Sequence, residues 1–319
     1  MKIIYNKIFL EHDTGMHPEN RKRIESITGI EETEINEDGE KYLELFHTKD
    51  YINLVKETCE SGGHLDPDTI ASPGSYGAAI KAVGATIMAS KTNDFALVRP
   101  PGHHAYPTHS SGFCIFNNIS IATQKLVDEG KRVLIFDFDG HLGDGTVKFF
   151  KNSDKVLYWS LHQAPAFPGG GTEDEIGEEE GKGYTINVPL PPKSGDDIYM
   201  RAVETFMPVA EQFKPDVVAV SAGFDGHHED LLLDLRLSTN TYYKLGKLLS
   251  DKFKNIFATL EGGYNIISLP KCLHNFIDGI NKEPMRFKER STDSMIQTIN
   301  EFDFRANTLE KNLKKYWKL

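Results

Sequence analysis

Three cysteines in 319 residues, Cys59, Cys114 and Cys272, are too few and too far apart for a disulfide framework or a C-x-x-C zinc site. That scarcity suits a reducing compartment, and a cytoplasmic protein is expected. No apolar run is long enough to span a bilayer. The opening MKIIYNKIFLEHD carries a charge every few residues where a secretory signal needs an unbroken apolar core, so no membrane or export role is expected. Positive charge is also in deficit. Against 47 Asp and Glu stand 36 Lys and Arg, a formal charge of −11, which argues against direct binding of nucleic acid and allows cationic ligands. Repeats, low-complexity runs and Pro/Gly-rich linkers are absent. The chain therefore reads as one domain, 1–319, with 282–319 a charged helical segment packed on its outside.

What the chain does contain is a set of short, continuously apolar runs rich in β-formers: Phe95–Val98, Arg132–Phe136, Val156–Leu161, Tyr184–Leu190, Val217–Ala222 and Ile256–Leu260. Helix-like segments lie between most of them, at about 75–90, 118–131, 196–213 and 239–253. Strands without polar alternation, alternating with helices, predict an α/β fold with a central parallel sheet covered on both faces.

Ligands in such sheets gather at the carboxyl ends of the strands. Here those ends carry the unusual residues: His103 and His104 after the first run, then Asp137, Asp139, His141 and Asp144 after the second. Asp225 follows the fifth run, and Glu261, Gly262, Gly263 and Tyr264 follow the sixth. In an extended chain residues i, i+2 and i+4 share a face, so Asp137, Asp139 and His141 are expected to project together. Buried carboxylates need partners, so this cluster either binds a cation or meets donors from elsewhere.

A hydrogen-bonded pair is the plain alternative for Asp139 and His141. Asp225 favours a metal, because an Asp/His/Asp set leaves coordination positions open; zinc suits it, as do iron(II) and manganese. A tandem His103–His104 can be a surface turn, but Asp137 and Asp144 offer each imidazole an orienting carboxylate. Tyr264 can be a core phenol or a donor to a developing oxyanion. Phe113 and Phe167 can be core or the walls of an apolar channel. Gly169–Gly171 lacks the Lys-Ser/Thr that follows a phosphate loop and reads as a turn, and TEDEIGEEEG at 172–181 reads as a solvated loop.

HPENRKR, DPDT, RPPGHHA, GFCIFNN, DFDGHLGDGT, SLHQAPAFPG, GKGYTINVPLP, SAGFD and LEGGYN occur in the order seen in the histone deacetylase family, which this chain resembles from about His12 past Tyr264. The resemblance implies the arginase/deacetylase fold and zinc on Asp139, His141 and Asp225. It pairs His103 with Asp137 and His104 with Asp144, and makes Tyr264 the electrophilic phenol. Phe113, Phe167 and Gly112 would wall an acyl-lysine tunnel. Ser160, with main-chain oxygens of Asp137, Asp139, His141 and Leu161, would hold a structural potassium ion. Arg23 would lie by an inner exit channel for acetate.

Three positions depart from the pattern: Leu142 replaces a second histidine after the metal histidine, Asp144 stands where many relatives have Asn, and Leu232 falls where polyamine-specific relatives carry a glutamate. Asp144 is expected to make His104 more basic. The implied activity is metal-dependent removal of acetyl groups from Nε-acetyl-lysine of peptides or proteins. Hydrolysis of small acetylated amines such as acetylpolyamines is the alternative. A silent acetyl-lysine binder is a third reading, and a two-metal ureohydrolase on the same fold is weakened by the ligand count.

Overall fold

The computed structural model describes residues 1–319. Nine strands form: β1 (Ile3–Ile4), β2 (Gly63–Asp66), β3 (Thr69–Ala71), β4 (Phe95–Ala96), β5 (Val133–Asp137), β6 (Val156–Gln163), β7 (Thr185–Leu190), β8 (Val217–Ala222) and β9 (Ile256–Leu260). The α-helices are α1 (Lys22–Glu25), α2 (Lys49–Ser61), α3 (Ser75–Thr92), α4 (Asn118–Asp128), α5 (Asp144–Phe150), α6 (Asp196–Phe213), α7 (Thr239–Lys252), α8 (Leu269–Asn281) and α9 (Ile296–Leu313). Seven strands make one sheet in the order β1-β4-β9-β8-β5-β6-β7, every pairing parallel, and β2 and β3 form a separate antiparallel hairpin. This is the expected α/β architecture, with helices packed around the sheet.

The central strands are apolar throughout because both their faces are covered; all residues of β5, β8 and β9 are buried. In α6 the buried residues Ile198, Tyr199, Ala202, Val203, Phe206, Met207, Ala210 and Phe213 recur at helical spacing, which makes that segment legible from end to end. Helices α3 and α4 pack together over β5, β8 and β9, while α6 packs on β6 and β7 with α7 and α9 against it.

Two expectations need adjustment. The first apolar run pairs only over Phe95–Ala96, because its continuation must leave the sheet to deliver the Arg99–Ala105 loop. In the C-terminal segment only Ile296–Leu313 is helical. The stretch before it is a strap, held where Glu289 accepts the Thr239 N–H (2.9 Å) and where the Gly195 N–H donates to Ser294 (2.8 Å).

Chain direction across the sheet reverses between β5 and β8. From β5 the chain proceeds through β6 to β7 on one side, then crosses back to β8 and on to β9 on the other. The crevice at such a switch point is where an open α/β sheet binds its ligand.

Candidate active site

The residues after β5 and β8 meet at that crevice. Asp137 closes β5, in register with Ser160 of β6 and Ser221 of β8. Beyond it the chain does not stay extended. The Asp139 N–H donates to Asp137 Oδ1 (3.2 Å) and the His141 N–H to Asp139 Oδ1 (2.9 Å), so successive side chains cap the backbone two residues on. The expected strand-like projection of Asp137, Asp139 and His141 is therefore corrected: turns, not pleat alternation, gather these groups.

His141 Nδ1 lies 2.7 Å from Asp225 Oδ2 and 3.3 Å from Asp139 Oδ1. All three residues are buried, and one ligand atom from each lies within 4.8 Å of the others. The cradle around them is made of backbone. Gly262 donates its N–H to Asp139 Oδ2 (2.7 Å), and a Cβ at Gly262 would lie 2.6 Å from Asp139 Oδ2 and 2.7 Å from Asp225 Oδ2. The Gly140 N–H donates to Asp225 Oδ1 at 2.7 Å. Burial opposes a charged His141, yet Asp225 and Asp139 push its pKa up to about 10. Burial, then repulsion from Asp139, lifts Asp225 to about 7. Two buried carboxylates that raise an imidazole this far form a site built for positive charge, and their donor set fits a divalent cation.

The histidine pair sits beside it. His103 Nδ1 is 3.1 Å from Asp137 Oδ2, and His104 Nδ1 is 2.7 Å from Asp144 Oδ1. The two rings are 4.0 Å apart, so they do not carry charge independently. Burial opposes the His103 cation, but Asp139, Asp137 and Glu261 outweigh it and hold its pKa well above the ordinary value. His104 goes the other way. Burial and the His103 charge drive it down to about 4, against the pull of Asp144. Asp144 raises the His104 pKa as expected, but desolvation and a neighbouring imidazolium exceed one hydrogen-bonded carboxylate, so the net shift is downward. His104 is neutral near pH 7, with Nδ1 engaged by Asp144 and Nε2 left to accept a proton.

His104 and His141 open into a cavity of about 510 Å³ whose wall includes Gly112, Phe113, Phe167, Leu232 and Tyr264, with Asp66 and Asp68 also part of its lining. Gly112 has φ +52°, and a Cβ there would lie 2.6 Å from the His104 ring and 2.9 Å from Phe167. Glycine thus lets the wall close onto the histidine. Phe113 meets the Tyr264 ring edge-on at 5.7 Å, and Phe167 meets His104 likewise at 5.1 Å. Burial raises the Tyr264 pKa well above the ordinary value, though the Arg23 guanidinium, 4.9 Å over its ring, works against the rise. The phenol keeps its proton.

Arg23 is fully buried. It donates to Gly263 O (2.6 Å) and to Glu19 Oε1 (3.0 Å), while Arg99 grips the same carboxylate through Oε1 (2.5 Å) and Oε2 (2.7 Å). Ser160 Oγ lies 2.9 Å from His162 Nδ1, and Leu161 is buried beside it. Leu142, the departure after His141, is buried among apolar neighbours rather than facing the cavity. The Gly169–Gly171 stretch is a turn with positive φ throughout. The acidic loop is mainly exposed, as expected, apart from buried Ile176, Gly177 and Gly181.

Sequence reasoning missed several supports, and named Glu261 only by its place after the sixth run. Tyr106 donates to Asp144 Oδ2 (2.9 Å), completing a Tyr–Asp–His chain, and Tyr158 donates to Asp137 Oδ2 (3.0 Å). Glu261 Oε2 accepts the N–H groups of Gly102 (2.7 Å) and His103 (3.1 Å). Asn117 Nδ2 donates to Ala105 O (3.1 Å) and His103 O (3.4 Å). Tyr106 and Asn117 had a signal in their closeness to HH and in the NN pair; Tyr158 lies inside an apolar run and had none.

Comparison with known proteins finds relatives of one family. The profile described as histone deacetylase domain matches residues 17–280. A protein of Archaeoglobus fulgidus described as a probable deacetylase is 36% identical over 292 residues, covering 83% of this chain and 81% of that protein. The histone deacetylase-like amidohydrolase of Pseudomonas aeruginosa is 36% identical over 244 residues, covering 71% of this chain and 64% of that protein. Among solved structures, the crystal structure of the HDA15 HD domain superposes with a TM-score of 0.89 at 28% identity, covering 99% of this chain and 94% of that one.

Proposed function

This chain belongs to the histone deacetylase family of hydrolases, and from that premise we propose that it removes acetyl groups from Nε-acetyl-lysine in peptides or proteins. The observation that carries the proposal is His104, held by Asp144 at the same cavity wall as His141 and Tyr264. Asp139, His141 and Asp225 would hold the divalent cation, with zinc the first candidate. The chemistry such an ion supplies is Lewis-acid polarisation of a carbonyl and acidification of water.

The chain's own residues do the rest. His104 Nε2 takes the proton of the attacking water as its oxygen bonds to the acetyl carbon. The Tyr264 hydroxyl donates a hydrogen bond to the oxygen that becomes negative. His103, held by Asp137, lies beside that charge. His104 then returns its proton to the lysine nitrogen as the C–N bond breaks, and acetate and lysine are released. Phe113 and Phe167 flank the alkyl stem and limit water. Arg23 is assigned to acetate exit, supported by its place beneath Tyr264. Ser160, with main-chain oxygens of Asp137, Asp139, His141 and Leu161, is assigned a structural potassium ion, supported by the register pairing of Ser160 with Asp137. A reducing, cytoplasmic setting agrees with three buried free cysteines.

Small acetylated amines are the second reading, favoured by Asp66 and Asp68 in the cavity lining and opposed by Leu232 in the wall. The test is acetate release by zinc-reconstituted protein from an acetyl-lysine peptide and, in parallel, from acetylspermidine. Turnover of the peptide alone is expected. Turnover of acetylspermidine alone would replace the substrate, and silence on both with metal bound would replace the activity.

A further inference from the structure

Two loops at the mouth of the cavity carry large aliphatic side chains that nothing in the fold covers. Leu231 and Leu232 lie beyond β8, and Ile266 and Ile267 lie beyond β9 just after Tyr264. Leu231 is 73% exposed, Ile267 66% and Ile266 44%, while Leu232 beside them belongs to the cavity wall. Single exposed aliphatics are ordinary on a protein surface; several together on neighbouring loops mark a contact surface.

Two polar side chains lace these loops into one ledge. Asp230 Oδ1 accepts the Leu231 N–H (2.7 Å), and its Oδ2 accepts those of Tyr264 (2.7 Å) and Asn265 (3.0 Å). Asn265 Nδ2 donates to Glu229 O (2.7 Å), and Asn265 Oδ1 accepts the Ile267 N–H (2.9 Å). The aliphatic groups are thus presented on a braced backbone that is continuous with the cavity through Leu232 and Tyr264.

We propose that this ledge is a specificity subsite for the residues flanking the acetyl-lysine, so that preferred substrates carry a large apolar residue beside it. The proposal rests on the deacetylase reading above. Continuity decides the occupant: Leu232 and Tyr264 line the cavity and adjoin the ledge, so a chain whose acetyl-lysine enters the cavity has the ledge next to it. Charge narrows it further. Asp66 and Asp68 in the cavity lining disfavour acidic flanks, and a formal charge of −11 opposes an anionic membrane surface as the partner.

The experiment compares kcat/KM for three acetyl-lysine peptides that differ only beside the acetylated residue, which bears Leu, Ser or Glu. It uses the metal-loaded full chain and its Leu231→Glu and Ile267→Glu variants. The unsubstituted protein should favour the Leu peptide over the Ser peptide by about tenfold, as one apolar contact does, and turn over the Glu peptide most slowly. In either variant the Leu/Ser ratio should fall to near one. Equal turnover of the Leu and Ser peptides by the unsubstituted protein would overturn the ledge and leave the deacetylase reading standing. No acetate from any peptide would overturn that reading itself. Sedimentation of the same samples supplies the other check: a dimer that Leu231→Glu dissociates would assign the ledge to a second copy and overturn the proposal.

Discussion

The Tyr264 phenol and the His104 imidazole are worth separating because each would fail in its own way. Tyr264→Phe removes one hydroxyl from a buried wall and leaves the ring contact with Phe113 in place. If that hydroxyl is the oxyanion donor, kcat should fall by an amount corresponding to about 3 kcal/mol while KM changes little. Steady-state kinetics on an acetyl-lysine peptide reads this directly, and near-full turnover would remove the role. Asp144→Asn acts through His104 instead. Asp144 is the group that raises the His104 pKa against burial and the His103 charge, so its neutralisation should lower that pKa further. The acid limb of the kcat/KM pH profile should then move to lower pH, with Tyr106 still able to hydrogen-bond the new amide. A limb that moves upward would contradict the assignment of His104 as the base.

Helix α4 shows how an element can serve the site without containing any of it. Its cap residue, Asn117, accepts the Ser120 N–H through Oδ1 (3.0 Å) and receives support from His47, whose Nε2 accepts the Asn117 N–H (2.9 Å). The same side chain donates to the carbonyls of His103 and Ala105 and to Thr146 Oγ1 (3.1 Å), pinning the histidine loop and α5 to the start of α4. Asn117→Ala loses a cap worth about 1 kcal/mol and leaves buried carbonyls unpaired at about 1–3 kcal/mol more. Urea unfolding should show that combined loss. Asn117→Asp keeps the cap acceptor but not the donors, so it should recover part of the stability and little of the activity. Equal recovery of both would mean that the loop does not depend on Asn117. Helices α3, α4, α6 and α7 lie between apolar runs and are expected from the sequence, whereas α2, α5 and α8 are not among those expected, although the buried Leu269, Cys272, Leu273, Phe276 and Ile277 of α8 recur at helical spacing. Asn275 is buried on the same helix and donates to Phe287 O at 2.7 Å.

Across the whole molecule, buried histidines tie stability to pH. His47 bridges Tyr106 O and the Asn117 N–H, so its Nε2 must remain an acceptor, and burial holds its pKa down at about 3 against an ordinary 6.5. His162 is likewise held at about 4, chiefly by burial. For a histidine whose folded pKa is depressed, the unfolded chain takes up the proton first as pH falls. The contribution of His47 and His162 is therefore full above about 6.5 and is lost progressively toward pH 4, and in the metal-free protein it is opposed by Asp225, whose raised pKa lets the folded chain bind a proton first. Each such histidine removes about 1.4 kcal/mol for every pH unit over which only the unfolded chain is protonated. Between pH 7.5 and 5 the urea midpoint of the metal-free His47→Gln variant should lose less on acidification than that of the unsubstituted protein. An identical pH dependence in the two proteins would mean that His47 titrates normally. The order of residues alone is enough for the parallel α/β sheet, the helix of α6 and a candidate set of acids and histidines at the strand ends, because unbroken apolar strands and polar residues at their ends have few physical explanations. How charge is shared among those groups follows from the folded arrangement. The turn that gathers Asp139 and His141, the 4.0 Å approach that leaves His104 neutral beside a charged His103, and the ledge of Leu231 and Ile267 all depend on distances between segments far apart in the chain. Burial and neighbouring charge set a pKa, and neither is a property of the residue that carries it.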